Sequence, residues 1–152
     1  MRLHVNLTVQ NISESVRFYS SLLGAQPALL KDDYAKWELA DPPLHLAVST
    51  HGSRSGVDHL GIQLEDLDQL KEITGRLTST SLPVIEQDNT ACCYARSNKT
   101  WVSDPAGLAW EVFHTSEQIS EFGAGDSAKP QQDTAAAPQA CCARANAHEP
   151  AV

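Results

Sequence analysis

The first nine residues alternate in polarity: Val5, Leu7 and Val9 fall on one side of an extended chain, and His4, Asn6 and Thr8 on the other. Such alternation predicts a strand with one face against a core and a polar face turned away from it. The pattern recurs. Sliding the sequence on itself by 55 residues lays 3–9 over 58–64, so that His4 falls on His59 while Leu60, Ile62 and Leu64 take the apolar side. The segments after the two copies match as well. Asn11 aligns with Asp66 and Glu14 with Gln69, in each case an N-cap followed three residues later by a side chain able to cap back, which marks a helix start. The first helix carries Ile12, Val16, Tyr19, Leu22 and Leu23 at helical spacing and stops at Gly24; the second carries Leu67, Leu70, Ile73 and Leu77.

Short strands come after each helix, expected near 28–30, 34–39 and 44–49 in the first half and near 84–87, 93–95, 100–103 and 108–114 in the second. The turns at Asp41-Pro42-Pro43 and at Asp104-Pro105-Ala106-Gly107 correspond. Counting 93–95 and 100–103 together as one interrupted strand, each half reads βαβββ. The expected fold is therefore α+β: two such modules, about 1–50 and 57–115, forming a curled mixed sheet around a polar cleft within a domain of residues 1–117. From 118 to 152 the chain turns to Ala, Gln, Gly, Pro and Asp with hardly a large apolar residue, too little burial to offset the entropy of ordering it, so a flexible tail is expected.

Composition narrows the partners. A chain of 152 residues with 41% hydrophobic residues can fill one core, and a formal charge of -8 opposes binding to nucleic acid or an anionic membrane by bulk attraction. No apolar run approaches a bilayer span, and the start has no signal-peptide core, so the expected setting is the reducing cytoplasm. Monomer and homodimer both remain open.

Two constellations carry chemistry. One is the pair His4 and His59 at matched positions of the two copies, facing each other across a pseudo-twofold axis, with Glu111 from the last strand as third member. Alone, each histidine is a solvent-facing strand residue; a matched pair beside a carboxylate points to a shared metal. The first copy offers no equivalent carboxylate: Leu44, Leu46 and Val48 occupy the expected ligand face of its last strand, with His45 turned to the other. Two imidazoles and one carboxylate suit Fe(II) handling O2, and manganese, zinc or cobalt also fit. The second constellation is the thiols. All four cysteines fall in two doublets, Cys92-Cys93 and Cys141-Cys142, and a ring closed between adjacent residues constrains almost no unfolded-chain entropy. Two neighbouring thiolates instead suit one thiophilic ion such as trivalent arsenic, cadmium or zinc. The turn-rich loop 87–91 before Cys92 is expected to aim both sulfurs at one point. Cys141-Cys142 are accessory thiols on the tail, placed to capture scarce ion and pass it inward by exchange.

Phe18-Tyr19, Ala40-Asp41-Pro42-Pro43-Leu44, Asp58-His59-Leu60-Gly61, Cys92-Cys93-Tyr94-Ala95 and Trp101-Val102, set on the doubled βαβββ plan of residues 1 to 115, resemble the vicinal oxygen chelate (glyoxalase/bleomycin-resistance/extradiol dioxygenase) superfamily, in its arsenic- and cadmium-resistance branch. The resemblance implies an Fe(II)- and O2-dependent enzyme that cleaves the carbon–arsenic bond of a trivalent organoarsenical and releases arsenite. It implies His4, His59 and Glu111 as iron ligands and Cys92 and Cys93 as the arsenic-binding pair, with Tyr94, Lys99 and Trp101 lining the site. Two alternatives stand beside it: a thiol-based cadmium- or arsenic-binding protein without turnover, and a glyoxalase-type metalloisomerase, disfavoured by the missing first-half carboxylate.

Overall fold

A computed structural model describes residues 1–123 and 129–130; Cys141 and Cys142 lie outside the described residues. The first module comprises β1 (Arg2–Thr8), α1 (Ile12–Leu23), β2 (Leu29–Leu30), β3 (Tyr34–Leu39) and β4 (Leu44–Ser49); the second comprises β5 (Gly56–Leu64), α2 (Leu67–Ser79), β6 (Ile85–Cys92), β7 (Ala95–Ser103) and β8 (Ala109–Gln118). The expected pair of βαβββ modules is what forms. Their strands make one eight-stranded mixed sheet in the order β2-β3-β4-β1-β5-β8-β7-β6, so the modules meet at the antiparallel pair β1 and β5. Within each module the first and last strands run parallel, β1 with β4 and β5 with β8.

Capping obeys the sequence signals. The Asn11 side chain accepts from the backbone N–H of Glu14 at 3.0 Å, and that of Asp66 from Gln69 at 2.8 Å, satisfying donors that a helix start leaves bare. Gly24 ends α1 at φ 64°, a left-handed conformation that a Cβ would disfavour. Each helix lays apolar residues on the sheet face opposite the cleft, but Leu22 and Leu67, expected on those stripes, are exposed. Ile12 packs with Trp37, Leu46 and Val48 in the first module, and Leu70 packs with Leu64 and Val112 in the second. Trp37 is fully buried and its indole N–H donates to the Ala25 carbonyl at 3.1 Å.

Three features differ from the sequence expectation. Residues 87–91 are not a loop but part of β6, which carries a bulge between Gln87 and Thr90 with Asn89 at φ 50°; Asn tolerates that conformation, so the ladder to β7 resumes beyond it. The chain instead reverses at Cys93-Tyr94, joining the expected strands 93–95 and 100–103 into the longer β7. His45 does not turn away from the ligand face. Parallel pairing sets His4 opposite His45, and paired residues share a face, so His45 looks into the cleft while Leu46 and Val48 face α1. Packing also runs past residue 117: Phe122 joins a cluster with Tyr34, Ala47 and Tyr94.

Replacing Trp37 with alanine removes a fully buried indole and its hydrogen bond. Trp37→Ala is expected to destabilise the protein by about 3–5 kcal/mol, read as a lower urea midpoint at unchanged slope.

Candidate metal and thiol site

The β1–β5 register pairs His4 with Gly61 and Asn6 with His59, which sets the two histidines diagonally across the pair on one face. Gly61 in turn pairs with Glu111 on β8. A Cβ at Gly61 would run into the Glu111 backbone carbonyl, so glycine is what lets β8 bring its carboxylate up to the histidines. The same register places Ala47 on β4 where Glu111 sits on β8, so the first module supplies no matching carboxylate.

All three side chains are buried. His4 Nε2 lies 3.1 Å from His59 Nε2, and Glu111 Oε2 lies 3.7 Å from the first and 3.5 Å from the second. A triangle with those sides has a circumradius of about 2.0 Å, the length of a metal–nitrogen or metal–oxygen bond. Tautomers agree with this. The His4 Nδ1–H donates to the His45 carbonyl at 3.1 Å and the His59 Nδ1–H to Asp58 at 2.7 Å, which leaves each neutral ring with its Nε2 lone pair aimed at the other. Two facing lone pairs and a carboxylate call for a cation between them, so the donor set fits a divalent metal.

Without a metal a proton fills part of that role. Burial opposes charge on His59, yet the Asp58 and Glu111 carboxylates raise its pKa to about 8. Burial dominates at His4 and lowers its pKa to about 4, Glu111 only partly opposing it. Glu111 stays ionised despite complete burial because Lys99 and the histidines hold its pKa well below the usual range. The Lys99 ammonium reaches Glu111 Oε1 at 2.6 Å, leaving Oε2 to the imidazoles. Asp58 is also anchored by Lys129 Nζ, which reaches Oδ1 at 2.7 Å and Oδ2, the oxygen that faces His59, at 2.6 Å, and its pKa falls to about 2, burial being outweighed by the bonds to His59 and Lys129.

The thiol pair shares the cavity. His4, His59, Glu111, Cys92, Cys93 and Lys99 all line it, and the two sulfurs lie 3.0 Å apart without a disulfide. Cys93 (φ 52°) and Tyr94 (φ 64°) are the two central residues of the β6–β7 turn. Positive φ at both positions is what a tight two-residue hairpin turn demands and what Gly or Asn usually supplies; for other residues it costs roughly 1–2 kcal/mol each. Among the described residues, neither Tyr94 nor Trp101 is on the cavity wall. The Trp101 ring instead packs edge-on against His59 at 5.0 Å, and the Tyr94 hydroxyl donates to Asp33 at 2.6 Å.

Sequence reasoning missed four participants. Asp58, beside His59, and Lys129 give no periodic signal. Asp33 sits in a polar hairpin indistinguishable from solvated turns. His45 lines the cavity buried and neutral, burial holding its pKa well below 6.5, and neither ring nitrogen has a hydrogen-bond partner among the described residues.

Residues 2–112 match the family model of the Glyoxalase/Bleomycin resistance protein/Dioxygenase superfamily. The chain is 39% identical over 121 residues to a trivalent organoarsenical cleaving enzyme of Bacillus sp. (strain MD1), covering 78% of this chain and 75% of that one. It is 32% identical over 142 residues to the cadmium-induced protein CadI of Mycobacterium tuberculosis (strain ATCC 25618 / H37Rv), covering 93% and 92%. Among solved structures, homoprotocatechuate 2,3-dioxygenase from Arthrobacter globiformis superposes with a TM-score of 0.58 at 13% identity, over 78% of this chain and 37% of that chain, which is a likeness of fold.

A cation binding between the imidazoles displaces the His59 proton. Affinity of metal-free protein for a divalent cation is therefore expected to fall about tenfold per pH unit below about 8, checked by titration calorimetry from pH 6.5 to 8.5. Asp58→Ala, which frees the His59 ring to rotate, should weaken metal binding by roughly 10–100-fold at pH 8.5.

Proposed function

The chain belongs to the Glyoxalase/Bleomycin resistance protein/Dioxygenase superfamily, and from that footing we propose that it cleaves the carbon–arsenic bond of trivalent organoarsenicals, using Fe(II) and O2 and releasing arsenite. The observation that carries this reading is the shared cavity: two sulfurs and a His-His-Glu donor set line one buried space. The relative named as a trivalent organoarsenical cleaving enzyme supports the same substrate class.

In this reading Cys92 and Cys93 exchange for the two hydroxyls of a substrate R–As(OH)2. Two As–S bonds form, two As–O bonds break and two waters leave, so arsenic stays trivalent with R as its third substituent. Thiolates suit this soft centre, and two on one turn hold it in one orientation. His4, His59 and Glu111 would hold Fe(II), which supplies the redox chemistry for O2 to oxidise the carbon–arsenic bond. For methylarsonous acid the overall change balances as CH3As(OH)2 + O2 → As(OH)3 + HCHO. Lys99 keeps Glu111 ionised, and Asp58 fixes the His59 tautomer. The burial of His4, His59 and Glu111 keeps bulk water away from the donor set.

A second reading, capture of cadmium or arsenite by the thiols without turnover, draws on the similarity to the cadmium-induced protein. One assay separates the two. Protein loaded anaerobically with Fe(II), then given air and methylarsonous acid, is expected to release arsenite. Cys92→Ser and Cys93→Ser should each reduce release at least 100-fold while leaving iron content unchanged, since neither sulfur belongs to the donor triangle; tight arsenic binding with no arsenite released by wild type would favour capture.

A further inference from the structure

The turn that carries the thiols is strained, and its surroundings must hold it. Cys93 and Tyr94 both adopt left-handed backbone conformations without glycine, while the Cys92 sulfur stays buried 3.0 Å from that of Cys93. Strain of this kind persists only where neighbouring contacts over-determine the conformation. Among the described residues two hydrogen bonds reach Tyr94 from outside the hairpin: its carbonyl accepts from the Ile119 N–H at 2.9 Å, and its side chain is held from the other module. The Tyr94 hydroxyl donates to Asp33 Oδ1 at 2.6 Å, 61 residues away in sequence.

Asp33 is itself held firmly. It lies in the turn between β2 and β3, where the Lys31 N–H donates to the Tyr34 carbonyl at 2.8 Å, and its own carbonyl accepts from the Thr50 N–H at 3.1 Å. Its second carboxylate oxygen accepts from His51 Nε2 at 2.7 Å. Phe122 closes over the network, stacked on His51 with ring centroids 3.9 Å apart and edge-on to Tyr94 at 5.5 Å. A carboxylate with both oxygens occupied, on a backbone hydrogen-bonded on two sides, is a fixed point against which a strained turn can be held.

We propose that Asp33 is a positioning residue for the thiol pair: reaching across from the first module, it holds Tyr94, and through Tyr94 the turn that directs Cys92 and Cys93 into the cavity. This builds on the reading of those cysteines as the arsenic-binding pair. Loosening the turn lets the sulfurs diverge and exposes Cys92, so a dithiol chelate loses affinity although both thiols remain.

Two measurements on full-length, metal-free protein under anaerobic conditions test this. The first is the rate of Cys92 alkylation by iodoacetamide, tracked by peptide mass spectrometry. Asp33→Ala and Tyr94→Phe should each raise it about 10-fold, the size of effect expected for a hydrogen bond to a charged group, and the double variant should be no faster than either single. Asp33→Asn, which keeps an acceptor oxygen, should stay near wild type, as should Trp37→Ala, which lowers stability without touching the turn. Unchanged rates in the single variants, additive effects in the double, or equal acceleration by Trp37→Ala would overturn the proposal. The second measurement is the dissociation constant for phenylarsonous acid, expected to rise about 10-fold in the same two single variants. Wild-type protein that fails to bind this probe would refute the arsenic reading, and the alkylation rates would still decide the role of Asp33.

Discussion

The antiparallel pairing of β1 with β5 is the constraint on which the cleft depends. It joins the two modules into one sheet, and its register sets His4 against Gly61 and Asn6 against His59. Because side chains alternate with a period of two, a slip of one residue in either strand would carry its histidine to the helix-packed face. That slip is opposed by the apolar positions of the same strands, since Val5 and Leu7 would then leave the core beneath α1 and Ile62 and Leu64 that beneath α2. The hydrophobic effect thus places the polar site indirectly, by holding the opposite face.

Within the cleft, burial raises the stakes of every charge. An ionised carboxylate without a partner there would cost several kcal/mol, yet Glu111 is charged because Lys99 and the two imidazoles surround it. The same chain of partners runs outward through His59 to Asp58 and on to Lys129. Each link orients the next. The thiol turn obeys a different rule, a costly backbone conformation held in place by an aromatic cluster and by hydrogen bonds from Tyr94 to Asp33 and from Ile119 to Tyr94. Both devices are preorganised: the groups stand in position before any ligand arrives, so binding need not supply their ordering entropy.

Much of this is legible along the chain. The repeat, the N-caps at Asn11 and Asp66, the stop at Gly24 and the matched histidines all depend on residues close in sequence or on simple periodicity. Legibility fails where a local rule has more than one outcome. Residues 87–91 carry turn-forming Asp88 and Asn89, which serve a bulge as well as a loop, and only pairing with β7 selects the bulge. The alternation of β4 separates His45 from its apolar neighbours without saying which of the two sides meets the cleft, and the parallel register with β1 settles that in favour of His45.

The sequence by itself determined the order of strands and helices, though not the bounds of β6 and β7, and it determined which strand faces are apolar and which residues have chemistry to offer. It did so because periodicity, capping and turn preference act over a few residues. Tertiary structure alone decided that Lys99 neutralises Glu111, that Asp33 reaches Tyr94 across 61 residues, and that Phe122 packs beyond the expected domain end. Those partners are set by how two modules twist and join, and a contact between distant residues leaves no periodic mark on either of them.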